Sequence, residues 1–349
     1  MKLTFYSGGY TEPLATGNGT YYGKSEGIVR HVWDSESNTV ENQTFSGIVN
    51  PSWVQLHPNG KVLYCVNESA KGGVRSFAVG QDGLVPMERV SSMGSCPCQL
   101  AVSPDGRLLV VCNYMSGNAA FFSLTPEGNI GALLQNIAFS GSGNRPDRQE
   151  GPHTHSAVFA DDGYCYLCEL GCDKLYRVET DKLFLGQAKA EQVYDFSKNG
   201  GVTGVRMGVF SPDGRFYFAA GELDNRIHCF ACGKYWVHLG SLRADRTEGE
   251  NYLAQISLHP SGKWLYASVR GEDDIVCFAL EDGVLYAPRW FGCGGKTPRH
   301  FSLTDSHLIC SNQHGNCITV FEIAPDGGLM QKAELPSPSV TVTAVVDDK

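Results

Sequence analysis

Long apolar runs are missing from this chain of 349 residues: none approaches the ~18 residues of a membrane-crossing helix. Helical periodicity is missing as well, since no segment keeps an apolar repeat of about 3.6 residues over several turns. Charged residues make up only 19% and sum to −9, so the positive excess of a nucleic-acid binder is absent. Neither a nucleic-acid nor a membrane partner is expected, although an acidic total leaves room for a small basic pocket. The opening MKLTFYSGGYTEP has one lysine and a short apolar run before Gly-Gly, unlike a secretory signal. The thirteen cysteines are therefore expected to be reduced and the protein cytoplasmic.

Cys165, Cys168 and Cys172, the Cys96/Cys98 pair and the Cys229/Cys232 pair suggest metal ligation, but the partner clusters at zinc spacing are missing. Cys65, Cys112, Cys277 and Cys310 lie in strand-like runs, where a thiol behaves as a small hydrophobe. Structural thiols, no metal and no cofactor are the expectation.

What the sequence does contain is a repeat. PSWVQLHPNGKVLYCVNE (51–68), PCQLAVSPDGRLLVVCNY (97–114), HTHSAVFADDGYCYLCEL (153–170), VRMGVFSPDGRFYFAAGEL (205–223), LAQISLHPSGKWLYASVRG (253–271) and PRHFSLTDSHLICSNQ (298–313) are versions of one unit. Each joins an alternating strand to a second, Leu/Tyr/Val/Phe-rich strand through a turn based on Pro-Asp/Asn-Gly. Proline presets φ there and glycine takes the left-handed position. A third strand follows (GGVRSFAV, NAAFFSL, DKLYRVE, NRIHCFA, DDIVCFA, NCITVFEI), and turns such as Asp82-Gly83 and Glu127-Gly128 lead to a fourth. Four short strands per unit make a propeller blade. With PSVTVTAV near the C-terminus supplying an inner strand to the N-terminal FYSGGYT and GIVRHVWD, the sequence predicts a seven-bladed all-β propeller. Residues 1–349 are expected to form a single domain whose closing blade is shared by the two ends. The polar insertions GSGNRPDRQE (141–150) and RADRTEGE (243–250) read as exposed loops, with Arg145 and Arg148 solvated.

The first strand of each blade lines the central channel. Counting back six from the turn proline, or its equivalent, selects Ser52, Cys98, His155, Arg206, Ala254 and, with looser alignment, Arg299 and Ser339. Eight residues past the turn glycine, at one channel mouth, stand Glu68, Tyr114, Glu222 and Arg270, with Glu169 at a similar place in a shorter unit. Two arginines and a histidine at one level of a narrow channel need partners. Two readings fit: polar lining that pairs with itself and with water, or an anion-binding acid/base site. His57 and His259, each in an H-P-x-G turn, read as turn caps.

Pro152-His153-Thr154-His155, Glu169-Leu170-Gly171, Gly204-Val205-Arg206, Glu222-Leu223, Val269-Arg270-Gly271, Pro298-Arg299-His300-Phe301 and Asn312-Gln313, in this order and in register with the blades, resemble the seven-bladed propeller lactonases. That family includes propeller-type 6-phosphogluconolactonase and 3-carboxy-cis,cis-muconate lactonizing enzyme. The resemblance implies a catalytic group of His155, Arg206, Glu222 and Arg270, with His153, Glu169, Gln255 and Arg299 around the substrate. The sequence departs from the family pattern at four points: Val205 and Met207 flank Arg206 where the family has proline and histidine, Gln255 replaces a glutamate, Val269 an asparagine, and Glu169 an aspartate.

The resemblance thus implies a carboxylic ester hydrolase of carbohydrate metabolism with a small anionic sugar-lactone substrate. The leading reading is 6-phospho-D-glucono-1,5-lactone, in the pentose phosphate pathway. Glu222 or His155 would activate water, while Arg206 and Arg270 would hold the substrate's anion or the developing oxyanion. Muconate cyclisation by the same cations and a non-enzymatic binding propeller are the alternatives.

Overall fold

The computed structural model describes residues 2–16 and 19–346. Seven four-stranded antiparallel sheets radiate from a channel. Their inner strands are Val54–Leu56, Pro97–Val102, Thr154–Phe159, Val205–Phe210, Tyr252–Leu258, Pro298–Leu303 and Val340–Val345, which define blades 1 to 7. Each inner strand touches the next, and the last returns to the first, so the ring closes. Blade 7 is built as the repeat requires: Val340–Val345 pairs with Lys2–Gly9, followed by Ile28–Asp34 and Thr39–Phe45. Closure by strand pairing between the two ends leaves no open seam in the ring.

The local chemistry explains the blades. At the turn between first and second strands, Gly60, Gly106, Gly214 and Gly262 all have φ near +70°, which a side chain would oppose. The turn histidines do more than cap. His57 Nδ1 accepts the Asn59 N–H at 3.1 Å while Nε2 meets Gly106 O of blade 2 at 3.1 Å. His259 likewise reaches Asp305 O of blade 6 at 3.0 Å. Between each pair of neighbouring blades lies a separate apolar core, such as Tyr64, Val66, Leu100, Leu109, Val111 and Phe122 between blades 1 and 2. Alternation puts one face of every sheet on each core. The thirteen cysteines are free, and all but Cys96 and Cys232 are buried, several inside these cores.

Helix among the described residues is confined to Thr180–Phe184 and a 3-10 turn at Lys198–Gly200, and no helix there is long and apolar enough to cross a membrane. The polar insertions are mostly exposed, as expected, but each is anchored by buried residues. Gln149 is fully buried, with Nε2 on Leu170 O at 2.9 Å, and Asp245 is buried under Arg243 at 2.5 Å.

Candidate active site

The site is made by a bulge repeated around the ring. Cys98, His155, Arg206 and Arg299 are each skipped in the pairing of their inner strand, one extra residue against the second strand. In blade 5 Ala254 and Gln255 together face Ser268 alone. A bulge breaks the alternation and re-aims the extra side chain, here into the channel near one mouth. In blade 7 the skipped residue is Thr341, not Ser339. Ser339 lies two positions earlier, at φ 51°, and its hydroxyl accepts from Tyr21 Oη at 2.9 Å. Ser339 matches Ser52 only through the shared Pro-Ser pair, and this blade has no turn proline from which to count.

Just above the bulges, backbone N–H groups of Tyr10, Glu68, Tyr114, Leu170, Glu222 and Gln313 bond to the carbonyl two residues before the ring position, and Arg270 pairs with Tyr252 at the same level. Glu169 is therefore one residue out of this set. Its register partner is Thr154, and its carboxylate accepts the backbone N–H of His153 and of Cys172 (2.5 Å). A one-residue step reverses the face in a strand, so Glu169 fastens the loop rather than joining the cluster.

Glu222 is the centre of the cluster. Oε2 lies 2.9 Å from Arg206 Nε and 2.9 Å from Arg270 Nη2, and Oε1 lies 2.5 Å from Arg148 Nη2. The Arg206 Nε–H does not point along its short contact, making this an ion pair rather than a hydrogen bond; Arg206 Nη1 donates to Ala254 O at 2.6 Å. Burial alone would raise the Glu222 carboxyl, but Arg270, Arg148 and Arg206 hold it well below the usual carboxylate range. Burial and the facing Arg270 lower Arg206 to about 9, which leaves it a cation at neutral pH.

His155 is 6% exposed and its Nδ1 is buried without a hydrogen-bond partner. Burial first, then Arg206, hold the imidazole well below its ordinary value, so it is neutral at pH 7. His153 supports the rim: it stacks on Tyr114 at 4.5 Å, with Nδ1 3.0 Å from Tyr114 O and Nε2 3.0 Å from Glu150. Gln255 is buried, its Nε2 on Ile256 O at 3.2 Å and its Oε1 unpaired. Arg299 stands across the mouth, over the Tyr10 ring at 5.6 Å and 3.4 Å from Gln313 Oε1. Its counter-charge is Glu68, which also accepts from Tyr10 Oη at 3.1 Å and from Ser52 Oγ.

Arg148 is the residue that reading the sequence missed. The connection from the outer strand of blade 2 to the inner strand of blade 3 has to cross the mouth, and the run Arg148-Gln149-Glu150 just ahead of Gly151-Pro152-His153 was the available signal. Four guanidiniums (Arg148, Arg206, Arg270, Arg299) thus face two carboxylates (Glu68, Glu222) in a chain whose net charge is −9.

The bulged propeller ring thus gathers buried cations beside a neutral imidazole at one channel mouth, the candidate site. The family model described as "Lactonase, 7-bladed beta-propeller" matches residues 4–346, and the chain belongs to that family of lactonases. A 6-phosphogluconolactonase of Formosa agariphila is 30% identical over 90% of this chain and 94% of its own length. That of Bacillus subtilis is 26% identical over 87% and 89%. Among solved structures, a Lactobacillus plantarum protein superimposes with a TM-score of 0.88 at 25% identity, covering 99% of this chain and 100% of its own. The Pseudomonas aeruginosa periplasmic gluconolactonase shares the fold, with a TM-score of 0.87 at 23% identity and full coverage of both chains.

Proposed function

We propose that this enzyme opens a sugar lactone bearing an anionic group, 6-phospho-D-glucono-1,5-lactone in the first instance, to the open-chain acid. The observation that carries this reading is the excess of guanidinium over carboxylate at the channel mouth, an arrangement suited to a phosphate or carboxylate substituent. The names of the relatives from Formosa agariphila and Bacillus subtilis point the same way.

In the proposed reaction, water attacks the lactone carbonyl carbon. Glu222 takes one of its protons, and the neutral imidazole of His155 accepts a hydrogen bond from the other, which orients the water. Negative charge that forms on the carbonyl oxygen is met by Arg206 and Arg270. The ring C–O bond then breaks, and the departing ring oxygen takes the proton back from Glu222, so one water is consumed and one hydroxy acid is released. Arg299, across the mouth, meets the substrate's anionic group; His153 and Gln255 shape the site around it.

We further place the reaction in the cytoplasm, within the pentose phosphate pathway; thirteen unbridged thiols support the compartment. The test is an assay with the phosphorylated lactone, with spontaneous opening subtracted, run beside 3-carboxy-cis,cis-muconate. Acceleration of lactone opening and none of muconate cyclisation is the expected result; the reverse pattern replaces the substrate.

A further inference from the structure

Three guanidiniums meet Glu222, and one of them is held differently. Arg206 and Arg270 stand on blades 4 and 5, are 4% and 17% exposed, and are braced on backbone carbonyls: Arg206 on Ala254 O at 2.6 Å, Arg270 on Tyr252 O at 3.3 Å. Arg148 comes from the 141–150 connection, is 26% exposed, and among the described residues its second partner is the Tyr114 hydroxyl at a long 3.5 Å. The connection beneath it is pinned: Gln149 is buried, with Oε1 accepting from Arg145 N at 3.1 Å, and Asn144 Nδ2 donates to Ser197 O at 2.8 Å and Gly201 O at 2.9 Å. The Arg148 side chain can therefore turn without the loop moving. It lies over the Tyr252 ring at 5.9 Å, as Arg270 does at 5.8 Å, so one aromatic face spans both guanidiniums.

The carboxylate is divided to match. Oε2 serves the two braced arginines, and Oε1 serves Arg148. A carboxylate whose lone pairs all face cations is a poor proton acceptor.

We propose that Arg148 is a movable anion clamp, which leaves Glu222 Oε1 for the substrate's anionic group and thereby frees Oε1 to take the proton of the attacking water. A phosphate dianion offers Arg148 more charge than the shared carboxylate, and a two-pronged contact. Substrate anion and active base are thus coupled: a lactone without the anion leaves Oε1 covered. This deepens the proposed function and rests on it.

The groups that set the proton affinity of Glu222 are Arg148, Arg206, Arg270, Arg299, His155 and Tyr114. With Arg148 removed, Glu222 holds a proton more readily, so the acid limb of kcat/KM, which reports the free enzyme, moves to higher pH.

The experiment compares wild type, Arg148→Met and the neighbouring control Arg145→Met. Equilibrium binding of 6-phosphogluconate and of inorganic phosphate should weaken about tenfold or more in Arg148→Met and stay unchanged in Arg145→Met. kcat/KM should fall on 6-phosphogluconolactone but hold or rise on unphosphorylated glucono-1,5-lactone, with the acid limb shifted up by about 1 unit. Equal losses on both lactones with an unshifted acid limb would show that Arg148 only shapes the site, and the clamp is overturned. If Arg148→Met does not fold, Arg148→Lys, which keeps the charge but not the planar fork, decides by the same readings with smaller changes. If the wild type opens neither lactone, the proposed function fails, and the binding comparison alone decides the clamp. It is overturned if wild type and Arg148→Met bind 6-phosphogluconate and phosphate alike, or if the wild type binds neither.

Discussion

Glu68 and Glu222 occupy the same place in blades 1 and 4, each directly past the second strand with its N–H bonded to the carbonyl two before the ring residue (Asn50 O at 3.1 Å, Gly204 O at 2.9 Å). Both are buried, yet their electrostatics are opposite. Beneath Glu68 the ring residue is Ser52, and blade 7 brings Tyr10; burial raises its proton affinity against Arg299 and the Ser52 and Tyr10 hydroxyls. Beneath Glu222 the ring residue is Arg206, the next blade brings Arg270, and the connection brings Arg148; here the cations win over burial. Identical residue and register thus produce a carboxyl pushed toward its protonated form on one side of the mouth and one held ionised on the other. The difference lies in the neighbours: Arg206 from the same blade, Arg270 from the next and Arg148 from the connection.

The largest test of that contrast is the rate of sugar-lactone opening. Glu222→Gln keeps the shape but removes proton transfer, and kcat should fall about 10²–10⁴-fold. Glu68→Gln should change kcat less than about tenfold, within the range of an indirect effect. An equal or larger loss in Glu68→Gln would reverse the two roles. His155→Asn, which removes the water-orienting nitrogen, should cost about 10²-fold, less than Glu222→Gln; a larger loss would make the imidazole the base.

The same pair should differ in stability, read by denaturant unfolding across pH. Glu222 has a lowered folded-state pKa, so its contribution is present above the unfolded value of about 4.3 and is lost as pH falls through the lower folded value. Glu222→Gln strands buried guanidiniums and should destabilise by about 3–5 kcal/mol at pH 7. Glu68 has a raised folded-state pKa, so its ionised form opposes folding at neutral pH, and that cost fades as pH falls through the folded value. Glu68→Gln removes that cost but also the counter-charge of buried Arg299, so at pH 7 it should destabilise clearly less than Glu222→Gln. The smallest effect belongs to Tyr10→Phe, which removes one hydroxyl donor from Glu68 and should cost about 1 kcal/mol with no loss of kcat; a large rate loss would place Tyr10 on the reaction path.

Much of the fold was legible because its signals are local. Alternation marked the inner strands, and turn glycines at φ near +70° marked the hairpins. The closing blade followed from one unmatched strand at the C-terminal end and the incomplete set at the N-terminal end. His155, Arg206, Glu222 and Arg270 were found by position relative to a turn, because a conserved turn-to-bulge distance carries a residue to the same level in each blade. The same counting failed where local length changed: by one residue at Glu169, whose blade has a shorter unit, and by two at Ser339, where the ring residue is Thr341. In a strand a single step turns a channel-facing side chain toward a neighbouring loop.

By itself, then, the sequence determined the number of blades, the split closure and the level at which the polar residues gather, since alternation and turn chemistry act over a few residues. The tertiary structure decided what those residues are. Arg148, read as a solvated loop side chain, meets Glu222 across 74 positions of sequence. Whether a buried carboxylate is pushed up like Glu68 or held down like Glu222 depends on charges brought within a few ångströms by different blades, and Coulomb energy follows distance through space, not along the chain.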